Sequence, residues 1–175
     1  MFYFVRHGSP DYAEKNTKIY RGFGVNFAPL SQEGIRQIKE TAKDRRLKGA
    51  DLILSSPYTR ALQTAAILSK ELHVDISVET DLYEWLANKD FVYEEDEAAE
   101  KSYLDYVANG GKYPQGEEKI WESAEMMKAR VNSILEKYCH YSKVIVVCHG
   151  MLIQAVTEGY HPRTGEILEL DYSAN

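Results

Sequence analysis

Two apolar runs, far apart in the chain, end in the same way. Phe2-Tyr3-Phe4-Val5 runs into Arg6-His7-Gly8, and Val144-Ile145-Val146-Val147-Cys148 runs into His149-Gly150. A third run, Leu52-Ile53-Leu54, stops at Ser55-Ser56-Pro57, and Arg60 follows. Unbroken Val/Ile/Leu runs read as strands buried on both faces, because a half-solvated strand would alternate with polar residues. Helical periodicity fills the stretches between them. Strands alternating with helices predict an α/β fold: a three-layer sandwich whose central sheet is mainly parallel and flanked by helices. In such sheets ligands bind beyond the carboxyl ends of the strands. Arg6, His7, Ser55, Ser56, Arg60 and His149 are therefore expected at one edge.

The rest of the chain fits this frame. Residues 9–30 read as a polar loop punctuated by Gly and Pro. Ser31 reads as a helix N-cap, with Glu33 in a first turn that favours an anion and a helix running to about Leu47. Ser56-Pro57 reads as a helix start, Ser as cap and Pro at the first helical position, which puts Arg60 in the first turn of a helix running to about Leu72. A short strand is expected over 74–78. Trp121 to Tyr138 is amphipathic at helical spacing, a helix should follow His149 from about Met151 to Glu158, and 166–170 reads as a final edge strand. The 88–120 stretch differs, with an acidic run over 90–100, tyrosines at 103 and 106, and Asn109-Gly110-Gly111. It reads as an insertion or lid within one domain spanning 1–175, with a helix near 94–108.

Length and charge exclude some classes. At 175 residues the chain suits one domain with a sizeable core. A net charge of −6 argues against nucleic acid or an anionic membrane as partner, though a locally positive pocket remains open to an anionic substrate. No run approaches a membrane span, and no signal peptide is visible, so the expected compartment is the cytoplasm. The two cysteines suit neither a disulfide framework nor a zinc site, and Cys148 reads as a buried thiol. Oligomeric state is not legible.

Two histidines, two arginines and one carboxylate, Glu84 in Leu82-Tyr83-Glu84-Trp85, form a set suited to phosphoryl chemistry. Histidine is a competent nucleophile, arginines bind phosphate oxygens, and a carboxylic acid protonates a leaving group. An imidazole attacks phosphorus only with a free ring lone pair. Arg6, Arg60 and a protonated His149 are expected to keep His7 neutral, with a carbonyl at the Gly8 turn taking its other N–H. No metal and no cofactor are expected, since side-chain cations already neutralise phosphate and no acidic cluster has metal-ligand spacing.

The order Arg6-His7-Gly8, then Ser55-Ser56-Pro57-x-x-Arg60-Ala-x-x-Thr64-Ala65, then Glu84, then His149-Gly150 resembles the histidine phosphatase superfamily, the phosphoglycerate mutase-like group. Pro29-Leu30-Ser31-x-x-Gly34 resembles the segment that opens its first helix. The resemblance implies His7 as nucleophile, forming a phosphohistidine. It implies Arg6 and Arg60 as grips on the phosphoryl oxygens, His149 as a contact to the same group, and Glu84 as general acid and then base. Ser9-Pro10-Asp11-Tyr12 stands where many members carry a Glu-Thr pair, which leaves Ser9 and Arg21 as candidate substrate contacts.

The expected activity is a metal-independent phosphomonoesterase acting on a small phosphorylated metabolite. A mutase-type phosphotransferase, a phosphohistidine-protein phosphatase and a non-catalytic phosphate-binding module stay open as alternatives. His73, His140 and His161 read as packing or surface residues, the acidic run over 94–100 as a solvated face, and the tyrosines as core and lid packing.

Overall fold

A computed structural model describes residues 1–17 and 22–172. Five strands form one sheet: β1 (Phe2–Arg6), β2 (Leu52–Ser55), β3 (Ile76–Val78), β4 (Val144–Cys148) and β5 (Ile167–Leu170). Their order is β3-β2-β4-β1-β5. The first four run parallel, and β5 lies antiparallel on β1 at the edge. Side chains alternate across the sheet as the period of two requires. Phe2, Phe4, Leu54, Val144 and Val146 enter one core, and Val5, Ile53, Ile145 and Val147 the other.

Six α-helices stand among the described residues: α1 (Gly24–Phe27), α2 (Gln32–Thr41), α3 (Thr59–Leu72), α4 (Asp96–Ala108), α5 (Ala124–Tyr138) and α6 (Gly150–Thr157). Helices α5 and α6 cover the first core through Met127, Val131, Leu135 and Leu152. Helices α2 and α3 cover the second through Ile38, Ala61, Ala65 and Leu68. This is the expected three-layer α/β arrangement. None of these helices is long and apolar enough to cross a membrane.

Several boundaries differ from the sequence reading, each for a local reason. Ser31 does cap α2, its hydroxyl accepting from Gly34 N at 3.0 Å. The helix ends at Thr41, however, and Leu47 reaches the core from a separate 3-10 turn, Arg45–Leu47, capped by Asp44. Helix α3 begins at Thr59, because Ser56 and Pro57 stay in the link from β2. Arg60 is still in the first turn. Helix α5 begins at Ala124 behind Ser123, whose hydroxyl accepts from Met126 N. Trp121 lies outside the helix, buried, with its indole N–H on Asp105 Oδ2 at 2.8 Å. The 9–30 loop contains the four-residue α1 and a bridge between Pro10 and Leu30. His73 ends α3 in the left-handed conformation, a capping position.

Candidate active site

The three central strands end side by side. Arg6 pairs with Cys148 across β1 and β4, and Ser55 with Val147 across β2 and β4. The next residues, His7, His149 and Ser56, therefore leave the sheet at the same level. His7 N bonds Cys148 O, and Ser56 N bonds Val147 O, which extends the ladder to these positions. The imidazoles of His7 and His149 lie with ring centroids 5.1 Å apart.

His7 is 3 % exposed, and both of its ring nitrogens are committed. Nδ1 lies 2.8 Å from Gly8 O, so it carries the proton and donates. Nε2 then holds the lone pair, and Arg60 Nε donates to it at 3.1 Å. Burial first, and the Arg60 charge second, push the imidazole down from 6.5 to about 3. His7 is a neutral base with its tautomer set by the Gly8 carbonyl, as the sequence suggested.

The Gly8 turn is held by close backbone approach. A Cβ on Gly8 would lie 2.7 Å from Gly34 O, and one on Gly34 would lie 2.1 Å from Ser9 O. These two glycines let α2 dock on the turn. Ser31 N and Ser31 Oγ both donate to Ser9 O, and Ser9 N donates to Gln37 Oε1. Gly8 N donates to Thr64 Oγ1, which ties the turn to α3 as well.

His149 is wholly buried, and its tautomer also follows from its partners. Arg60 Nη2 donates to Nδ1 at 3.2 Å, so the proton sits on Nε2, which donates to Ser56 Oγ at 2.7 Å. Burial, then the Arg60 charge, push this ring well below the usual histidine range. His149 is neutral, and the protonated ring expected from the sequence is corrected. The same bond adds to the reading of Ser56: its hydroxyl orients His149 and also accepts from Tyr58 N at 3.3 Å, one residue ahead of α3 rather than in its first turn.

Arg60 spans the cluster, with the rest of its fork on Val25 O at 2.5 Å and its guanidinium 5.1 Å from the Tyr58 ring. Arg6 Nη1 donates to Pro162 O at 2.6 Å. Arg6 Nε is buried with no hydrogen-bond partner among the described residues. His161 joins this side of the cluster. A Cβ on Gly150 would lie 2.5 Å from the His161 ring and 3.1 Å from Arg6 Cζ, so only glycine admits both. His161 is exposed, as its surface reading expected, but its ring packs over Gly150 beside Arg6; burial first and Arg6 second push its imidazole down.

Glu84 completes the set. Its Oε2 lies 4.0 Å from His149 Nδ1, and its side chain is 25 % exposed. Burial raises its carboxyl above the ordinary range, against the opposing pull of the Trp85 N–H, Arg60, Arg6 and Arg130. A pair the sequence reading missed fixes the segment that carries it. Arg130 makes a two-pronged ion pair with Glu122, at 2.7 and 3.0 Å, with side chains only 10 % and 3 % exposed. Arg130 Nη1 also donates to the carbonyls of Asp81 and Tyr83, and its guanidinium stacks 3.8 Å from the Tyr83 ring. Glu122 takes the Leu86 N–H, and its carbonyl takes the Trp85 indole N–H. Residues on both sides of Glu84 are thereby pinned to α5 and its lead-in.

Two strand-end histidines with opposite tautomers are thus bridged by a buried arginine and faced by a carboxyl that burial raises. The sequence profile of the histidine phosphatase superfamily, branch 1, matches residues 2–171. The chain belongs to the histidine phosphatase superfamily. It is 32 % identical over 161 residues to a Hydrogenobacter thermophilus protein provisionally named phosphoserine phosphatase 2, covering 88 % of this chain and 75 % of that one. It is 31 % identical over 157 residues to a Proteus mirabilis protein provisionally named phosphoglycerate mutase GpmB, covering 86 % and 70 %. Among solved structures, a mycobacterial glucosyl-3-phosphoglycerate phosphatase with inorganic phosphate superposes with a TM-score of 0.65 at 20 % identity, covering 89 % of this chain and 76 % of that one. The last similarity supports the fold alone. Family, fold class and phosphatase class stand as the sequence implied.

Within this histidine phosphatase fold, the structure brings His7, Arg60, His149, Arg6 and Glu84 together. Ser9 is held next to the Gly8 turn through its backbone, on α2. Arg21 lies outside the described residues.

Proposed function

We propose that this protein is a phosphomonoesterase that works through a phosphohistidine on His7 and needs no metal. One observation carries the reading. His7 presents an Nε2 lone pair while Gly8 O holds its Nδ1 proton, and the Arg60 guanidinium already touches that lone pair. A phosphoryl group in reach of Nε2 is in reach of Arg60 as well.

In the first step the Nε2 lone pair attacks phosphorus and the ester P–O bond breaks. Charge spreads over the three remaining oxygens, which the guanidiniums of Arg60 and Arg6 neutralise. Arg6 Nε, a buried donor, suits one such oxygen. Glu84 gives its proton to the departing alcohol oxygen, and its raised pKa favours the protonated form this needs. In the second step Glu84, now a carboxylate, takes a proton from water as that water attacks phosphorus. The P–N bond breaks, and phosphate leaves. His149 stays neutral, donating to Ser56 and accepting from Arg60, so it holds Arg60 in place and adds no positive charge of its own.

Trapping tests this reading. A rapid quench with labelled substrate should yield a phosphoenzyme that is labile in acid and stable in base, absent from His7→Ala. Label that survives acid and is lost in base marks an ester or acyl link and removes His7 from the nucleophile's role.

A further inference from the structure

The cavity that opens from the reaction centre has a floor and walls of opposite character. It holds about 420 Å³, with Tyr58, Arg60 and Glu84 at its inner end. Its walls come from Phe23, Val25, Trp85, Leu86, Phe91 and Tyr93. Trp85 packs partly against the core, but the outer wall is not packed away: Phe23 is 58 % exposed and Phe91 70 %, and neighbouring Val92 59 %. Apolar side chains gathered around a cavity mouth and left facing water mark a ligand surface rather than a core. Phe91 also has φ at +60°, a left-handed backbone that a bulky residue adopts only under constraint.

The rim's charges point the same way. Lys15 is paired with Asp96 at 2.8 Å, and Glu94 takes the Asn88 amide at 2.8 Å. Among the described residues this end of the cavity sets one cation, itself paired, against the Glu94 and Asp96 carboxylates, which disfavours a second anion. The Arg60 charge lies at the other end.

We propose that the preferred substrate is the phosphate ester of an uncharged alcohol with an aromatic or extended apolar body, bound with its phosphate on Arg60 and its body between Phe23, Trp85 and Phe91. This rests on the hydrolytic reading above. It goes beyond it by excluding, as best substrates, small phosphorylated metabolites that carry a carboxylate or a second phosphate.

Three primary alkyl esters test it, because their leaving oxygens have similar basicity and the chemical step largely cancels. Naphthylethyl phosphate should exceed ethyl phosphate in kcat/KM by about a hundred-fold, the effect of burying one aromatic body. Phosphoserine, small and carrying further charges, should do no better than ethyl phosphate. Phe91→Ala should shrink the naphthylethyl-to-ethyl ratio by about threefold or more. Phosphoserine matching or beating the naphthyl ester, or a ratio that Phe91→Ala leaves alone, overturns the proposal. Calorimetric titration of His7→Ala with the naphthylethyl ester and phosphoserine reads binding without turnover. A binding preference for the naphthyl ester with no hydrolysis by the wild type keeps the substrate class and sinks the hydrolytic reading. The reverse preference sinks the class and leaves hydrolysis standing.

Discussion

At the strand ends, the two histidines and Arg60 are held mainly by one another and by the backbone. His7 hangs on a carbonyl of its own turn, His149 on Ser56, and Arg60 on both rings and on Val25 O. Around the cavity mouth, Phe23, Phe91 and Val92 face solvent, and the bonds nearby are exposed pairs such as Lys15–Asp96. The first region is set by the ladder of a parallel sheet and the second by loops lying over it. The contrast separates chemistry from selection: a change at the strand ends should alter every substrate alike, and a change at the mouth should alter some substrates only.

The largest effect should come from His7→Ala. Loss of a covalent nucleophile typically costs several orders of magnitude in kcat, roughly equal for every ester. Single-turnover rates on an aryl and an alkyl phosphate measure it. More than a few per cent of wild-type activity on either would mean that another group attacks phosphorus.

Next comes Glu84→Gln, which sits on the boundary between the two regions. A general acid contributes about 10²–10⁴-fold, most when the departing oxygen is strongly basic. Alkyl esters should therefore lose far more than aryl esters whose phenolate leaves unaided. Equal losses for both would take the proton-donor role away from Glu84.

How much of this was legible in the sequence follows from what each residue depends on. His7 and His149 were legible because a continuous apolar run followed by His-Gly shows a strand end directly, and Arg60 because it falls in the first turn of the helix that follows β2. Ser56 was read only as a cap because Ser-Pro is a helix-start pattern wherever it occurs; only the approach of β4 shows that its hydroxyl serves His149. The charge on His149 was misread for a related reason, since burial and the Ser56 and Arg60 contacts are long-range facts. Glu122 and Arg130 gave no signal. Their partners are backbone carbonyls and amides of the 81–86 segment, which have no side-chain signature. The exposure of Phe23 and Phe91 was hidden too, because composition counts an aromatic residue without saying which way it faces.

That missed pair supplies a third test, at the joint between regions. Arg130→Ala leaves the buried Glu122 carboxylate without its counter-charge, and breaking such a pair costs about 3–5 kcal/mol. Urea unfolding should show it as a lowered midpoint. The double variant Glu122→Gln/Arg130→Met removes both charges and restores packing, so most of that stability should return. The carbonyls of Asp81 and Tyr83 still lack their donor, and Glu84 loses its fixed placement. Alkyl ester hydrolysis should then stay depressed by roughly tenfold, about 1.4 kcal/mol of barrier. Full recovery of rate together with stability would show that the pair supports the fold and does nothing for Glu84.

Acid should weaken the strand-end region specifically. His7 and His149 have pKa values lowered on folding from 6.5, by burial first and then by Arg60. The unfolded chain binds protons below pH 6.5, while folded His7 stays neutral down to about 3. Their stabilisation is thus complete above pH 6.5 and is lost as pH falls from there, at about 1.4 kcal/mol per pH unit for each ring. Glu84 acts in the opposite sense. Its raised pKa gives a contribution that is full below about 4.5 and lost as pH rises through the folded value. Unfolding midpoints at pH 7, 6 and 5 should therefore decline, with a shallower slope in His7→Ala. An identical slope would mean that folded His7 takes up its proton at the same pH as in the unfolded chain, so that burial and Arg60 do not hold it neutral.

The smallest effect should be found at the cavity mouth, where it sharpens the contrast most. Asp96 and Lys15 form an exposed pair, their side chains 60 % and 31 % accessible, so Asp96→Asn should change stability by less than about 1 kcal/mol. It does change the field at the rim, because the Lys15 ammonium is released from its partner and the net charge there rises by one. A substrate with a second anionic group gains from this, and an uncharged body does not. Interaction across solvated side chains is worth on the order of 1 kcal/mol or less, so the KM for phosphoserine should fall only a few-fold, more at low salt than at high. The KM for naphthylethyl phosphate and the kcat for both should stay as they are. If instead kcat moves for both esters, the charge at the mouth reaches the phosphoryl centre, and the division between a fixed floor and a selective mouth is drawn in the wrong place.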